Sequence, residues 1–137
     1  MISRTVSCFL ALLLVLTPTV NFAHHSFAAE FTQESSTIEG VVTEVWFRAP
    51  HIRYYIDVTT ADGSVEQWDT RGGSPSSLLR RRVLRPDSIE VGDTVVIDGY
   101  LGRDGRKLMS IKRMALDDGT VFMLDAAAAS EYQEDNQ

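Results

Sequence analysis

Three histidines carry the most versatile chemistry in this 137-residue chain: His24 and His25, adjacent in "FAHHSFAAEF", and His51, which follows Pro50 in "WFRAPH". Imidazole nitrogen is a good ligand for Cu(II), Zn(II) and Ni(II). Cleavage of the chain after Ala23 would give His24 a free α-amine beside its own imidazole, and the two can chelate one ion. That amine has an ordinary pKa of roughly 8, so a metal displaces only one proton near neutrality. One dipeptide does not make a selective centre, which wants three or four protein ligands. The expectation is an N-terminal arm that folds back to bring His24 or His25 to His51, with a carboxylate such as Glu30 completing the set. Copper is the favoured ion, with zinc or nickel as the alternative. The competing reading is plain: terminal histidines are often solvated ends, and a histidine after proline is often a turn residue.

Such a set is similar to the histidine brace, in which a terminal histidine and a second histidine share one copper ion. A different chemistry is offered by Trp46, Arg53 and Tyr55 on the predicted first two strands. Tyr55 alternates to the face opposite the apolar residues, beside Arg53, where an exposed ring could stack on a sugar or a base; core filling is the default for the tryptophans. These residues define the alternative function, an interaction module for an oligosaccharide or peptide. The run Arg80 to Arg82, with Arg85, reads as a solvated charge run on a short helix, one member of which lies along the neighbouring wall. No nucleophile elbow, phosphate-binding glycine loop or helical histidine pair is present, so no catalytic residue is assigned.

The elements before and after these residues set their context. Arg4 followed by the apolar run Val6 to Leu16 and a polar-to-small exit predicts a secretory signal over residues 1–23, too short for a bilayer anchor. Cleavage after Ala28 also fits the small-x-small rule but discards both histidines, so Ala23 is preferred. The single cysteine, Cys8, lies within that run, which takes thiol catalysis and disulfides out of the mature chain. Removing 23 of 137 residues leaves 114, and with them 12 basic against 19 acidic residues, a formal charge of −7. A periplasmic or secreted acidic domain of this size is a poor nucleic-acid or anionic-membrane binder; the expected partner is a metal ion or small ligand.

Residues 24–36 show little periodicity and read as an N-terminal arm, residues 37–125 as one β domain, and residues 126–137 as a frayed or disordered tail. "TIEGVVTEVWF" from Thr37 is the first strand, with Gly40 marking a bulge or bend. "IRYYIDVTT" alternates as the second strand, and "ADGS" turns the chain into a third over Val65 to Thr70. Ser74 caps and Pro75 opens a two-turn helix that buries Leu78 and Leu79 and that Pro86 keeps from continuing. Strands over Thr94 to Leu101 and Leu108 to Leu116 and a short sixth over Val121 to Leu124 follow. Three strands, a helix, then two or three strands is the order of a small all-β, OB-like, partly open five- to six-stranded barrel. An immunoglobulin-like sandwich wants more strands and no helix there.

Taken together, "HHSFAAEF", Trp46 with Pro50 and His51, "GGSP" with Leu78 and Arg80 after Trp68, "GD" at Gly92 and Asp93 with Gly99, and "DG" near the end resemble a family of small exported bacterial proteins known as a domain of unknown function. The resemblance spans nearly the whole mature chain. It implies export and marks His24, His25, Pro50 and His51 as motif positions, but it brings no activity with it. Where that family usually has Asn before the Pro-His pair this chain has Ala49, so no ligand role is carried to that position.

Overall fold

Alternation of apolar and polar residues along "IRYYIDVTT" and "TVVIDGYLG" forces each to be a strand with one face covered. In the computed structural model, which describes residues 27–125, they are β2 (Arg53–Thr59) and β4 (Thr94–Gly102). The other strands are β1 (Phe31–Trp46), β3 (Val65–Arg71), β5 (Leu108–Leu116) and β6 (Val121–Met123). One helix, α1 (Pro75–Arg80), lies between β3 and β4. Residues 1–26, with the segment read as a signal, His24 and His25, and residues 126–137, read as a tail, fall outside the described residues. Among the described residues no helix is long and apolar enough to cross a membrane.

The sheet runs β3-β2-β1-β4-β5-β6, and a further parallel pairing of β3 with β5, Asp69 to Leu108 through Arg71 to Ser110, closes five strands into a ring. All other ladders are antiparallel. This is the predicted all-β, OB-like arrangement, with the helix between the third and fourth strands. Inside the ring lie Ile38 and Val42 from β1, Tyr54 and Ile56 from β2, Val95 and Ile97 from β4, and Met109, Ile111 and Met114 from β5. Leu78 of α1, Leu84 and Ile89 join the same core. Burial of Tyr54 pushes its phenol pKa well above the ordinary value.

Three local features differ from expectation. The first strand begins at Phe31, inside the segment read as an arm, because its early part pairs with β4 while residues 41–46 pair with β2. Gly40 sits where the strand changes partners, and its place there is steric: a Cβ would fall 2.4 Å from the Asp57 carbonyl oxygen. The bulge itself comes later, between Val42 and Glu44. An extra residue reverses the side-chain parity. Val42 points inward before it, Val45 and Phe47 pack on the core after it, and Trp46 is left on the outer face.

Leu79 is the third difference, exposed at 45% while Leu78 is fully buried. A helix this short presents one stripe to the core, and successive residues are about 100° apart. Ser74 caps it as expected, accepting from the Ser77 amide. The helix ends before Pro86 can act, at Arg82, whose φ of 56° is left-handed. The Val83 amide donates to the Leu78 carbonyl and the Arg82 amide to that of Leu79, the paired bonds of a Schellman ending. Arg81 lies back along the ring and donates to the Leu124 carbonyl, while Arg80 and Arg82 are exposed.

Candidate functional site

The β2–β3 ladder continues past the strand ends through two backbone bonds, the Ile52 amide to the Gly73 carbonyl at 3.1 Å and the Gly72 amide to the Ile52 carbonyl at 3.0 Å. They hold the β1–β2 connection, with its cis Ala49–Pro50 peptide and His51, against the Gly72–Gly73 step. Gly72 leaves room for the side chains packed over it: a Cβ there would fall 2.7 Å from a Leu124 methyl and 2.8 Å from Ile52, so those side chains would have to shift. On the other side β5 contains a second bulge, because Asp98 pairs with Arg113 and Gly99 with Ile111, leaving Lys112 between them. The Lys112 carbonyl accepts from the amides of Leu124 and Asp125, and so docks the chain after β6 beside Ile111.

These elements enclose a pocket of about 330 Å³. Its walls include Phe27, Phe31, Ile111 and Leu124; Glu30, His51, Arg71 and Asp125 supply its charged and titratable groups. The segment containing Phe27 to Phe31 is fastened from three directions. Arg71 Nη1 donates to Glu30 Oε2 at 2.9 Å, Arg103 Nε to the Ala28 carbonyl at 2.6 Å, and Arg106 Nη2 to the Glu30 carbonyl at 3.2 Å. Phe27 adds ring contacts, tilted against Phe31 at 5.0 Å and edge-on to Tyr100 at 5.7 Å.

Arg71 also donates through Nε and Nη2 to Asp69 Oδ2, at 3.1 and 2.9 Å. Partial burial works against its charge, but the hydrogen bonds and charges of Asp69 and Glu30 outweigh that and raise the guanidinium pKa above its ordinary value. Arg53 approaches the same Asp69 oxygen at 3.6 Å, while Asp69 Oδ1 is buried without a hydrogen-bond partner.

Of the predicted metal ligands, His51 is exposed on the rim of this pocket, and His24 and His25 lie just before its first described wall residue, outside the described residues. Among the described residues no group of three or more His, Cys, Asp or Glu side chains is placed to hold a metal ion. Trp46, Arg53 and Tyr55 do come together, but on the outer face of β1 and β2 rather than at the pocket. Trp46 and Tyr55 meet edge to face at 5.9 Å, and Arg53 stands 5.7 Å from the Trp46 centroid. Arg48 stacks on the same ring at 4.1 Å and the indole N–H donates to Glu44, so the chain's own side chains engage much of Trp46.

Sequence reasoning missed Phe27, Phe31, Arg71, Ile111 and Leu124 as pocket residues. Alternation does place Asp69 and Arg71 on one face of β3, a legible ion pair. Nothing local tells that Phe31 or Leu124 meets that face, since both arrive through long-range pairing.

A model of a family of unknown function, DUF6152, matches residues 12–110. No curated protein matches the chain. Among solved structures, a mitochondrial single-stranded DNA binding protein of S. cerevisiae, Rim1, is similar over 64% of this chain and 94% of its own, at 13% identity and a TM-score of 0.45.

Proposed function

The chain belongs to DUF6152, a family of unknown function, so its role has to be read from its own site, and we propose that it is an exported, periplasmic binding module for a transition-metal ion, copper in the first place. The ion is held by His51 together with His24 or His25. The observation that carries this reading is convergence: residues of the "HHSFAAEF" stretch, His51 and the Gly72–Gly73 step, separate in sequence, line one pocket. His25 is two positions before Phe27 and His24 three, spans of at most about 7 and 11 Å along the chain. Connectivity alone thus keeps both residues within reach of a wall that also contains His51. Two imidazoles and the α-amine of His24 would supply three nitrogen donors, a set that suits Cu(II).

Native mass spectrometry of the protein recovered from the periplasm, with and without one equivalent of Cu(II), tests this reading. The expected species begins at His24 and retains one copper, and His51→Ala weakens binding by about tenfold or more, the loss of one of three ligands. A mature chain beginning at Ala29, or unchanged affinity in the variant, would overturn it. The meeting of Trp46, Tyr55 and Arg53 favours a second reading, an interaction face for an oligosaccharide or peptide. That reading expects Tyr55→Ala to abolish binding to envelope extracts and copper to have no effect.

A further inference from the structure

An ion fills only a small part of a pocket of about 330 Å³, a volume within the size range of small-molecule sites. Phe27, Phe31, Ile111 and Leu124 offer an ion no donor atoms; what they offer is apolar surface. The two rings, with centroids 5.0 Å apart and planes inclined by 31°, present faces against which a flat body can stack. The charged groups of the lining are already paired. Glu30 meets Arg71 at 2.9 Å, Arg71 meets Asp69, behind the wall, at 2.9 Å, and Arg53 approaches that same Asp69 oxygen at 3.6 Å. Two carboxylates and two guanidiniums thus form one chain in which the charges cancel. Asp125 has a partner of its own. Arg81, Arg103 and Arg106 border the wall without lining it, and they donate to the carbonyls of Leu124, Ala28 and Glu30.

We propose that this pocket binds a small uncharged aromatic molecule bearing one hydroxyl or carbonyl group, its ring packed among Phe27, Phe31, Ile111 and Leu124 and its polar end at the rim, where His51 is exposed. A charged group of either sign finds no unpaired counter-charge in the lining. An ammonium gains one only by taking Glu30 from Arg71, and a carboxylate only by taking Arg71 from Glu30. In both cases the displaced group is stranded beside an apolar wall, and that cost offsets the new ion pair. An uncharged molecule leaves the chain of four side chains intact. Its ring displaces water from the apolar wall, and its hydroxyl or carbonyl keeps a hydrogen bond to imidazole or water at the mouth. This inference does not depend on the metal.

The test is a backbone-amide NMR titration of the metal-stripped protein with 2-phenylethanol, phenethylamine and 3-phenylpropanoate, which share a ring and differ in the charge of the end group. The alcohol is expected to shift the Gly72, Gly73, Ile111 and Leu124 signals and to bind about tenfold more tightly than either charged analogue. Glu30→Gln removes one carboxylate from the chain of four and leaves a guanidinium charge uncompensated. The acid should then gain about tenfold while the alcohol stays within about twofold of its original affinity. Should that variant not fold, Phe27→Ala removes one ring face and should weaken the alcohol by about tenfold. Three results would overturn the proposal. One is an amine or acid that binds the unmodified protein as tightly as the alcohol, so that the bordering charges select after all. The second is an acid that gains nothing from Glu30→Gln. The third is absence of shifts at these amides at millimolar alcohol, as when the chain's own N-terminal segment fills the pocket. Because no metal is present, failure of copper binding leaves this result standing, and the reverse holds too.

Discussion

Arg71 is the residue on which the pocket wall turns, and Arg71→Met is the sharpest single perturbation of it. Methionine retains most of the apolar stem and removes the charge. The change breaks two bonds to Asp69, at 2.9 and 3.1 Å, and one to Glu30, at 2.9 Å. Hydrogen bonds to charged groups contribute about 1.5–3 kcal/mol each when well buried, and breaking a buried pair costs about 3–5 kcal/mol. Here the pair is incompletely buried, with side-chain exposures of 20% and 21%, and Asp69 keeps Arg53 at 3.6 Å. The Glu30 contact, 45% exposed on the acid side, contributes about 0–1 kcal/mol. A loss of about 2–3 kcal/mol is expected. With a urea slope of about 1–2 kcal/mol per molar for a small domain, the midpoint falls by about 1–3 M. Urea unfolding followed by tryptophan fluorescence measures it. Adding Asp69→Asn should recover part of the loss, since the carboxylate loses both bonds from Arg71 and keeps only the longer approach of Arg53. Hydrogen exchange at residues 27–31 should accelerate in the single variant. A loss below about 1 kcal/mol, or strictly additive effects of the two substitutions, would refute the assignment of Arg71 as the fastening of this wall.

Other consequences can be checked with the same assay. Gly99→Ala places a Cβ 2.3 Å from the Ser110 carbonyl oxygen at the β4–β5 crossing, and is expected to cost about 3 kcal/mol; a wild-type midpoint would contradict the packing described. Arg82→Gly relieves a left-handed φ of 56° and is expected to stabilise by about 0.5–1 kcal/mol after the entropy of glycine is counted. Asp98 is partly buried, which opposes ionisation, but hydrogen bonds from Thr37 and Arg113 and the charge of Arg113 outweigh this and lower its pKa. Its contribution is therefore present above the ordinary carboxylate pKa of about 3.9 and is lost as pH falls through the lowered folded value. Asp98→Asn should then destabilise the protein at pH 7 and flatten the loss of stability below about pH 4. An unchanged acid limb would exclude this role.

Period-two alternation, the turn at Gly63 and the serine-proline helix start each act over a few residues, and each could be read directly. The number and order of the strands, α1 and the OB-like arrangement followed from them. Leu79 shows where local pattern fails: two adjacent leucines in a six-residue helix cannot both face one core, and only packing selects Leu78. Trp46 shows a second case, since a single extra residue near Thr43 decides which face it occupies, and bulges have no reliable sequence mark.

The candidate site divides along the same line. By itself the sequence determined which chemistry is available, namely three imidazoles, an excess of acidic over basic residues, and a chain whose alternating strands must close around one apolar face. It determined these things because residue type and short-range period are properties of neighbours along the chain. Only the tertiary structure decided that His51 shares a pocket with Phe27, Glu30 and Phe31, that Arg71 reaches Glu30 there, and that Trp46, Arg53 and Tyr55 lie elsewhere. The meetings of His51 and Arg71 with the Phe27 to Phe31 segment join residues 20 to 44 positions apart, set by ring closure through β3 and β5, and no local propensity encodes them.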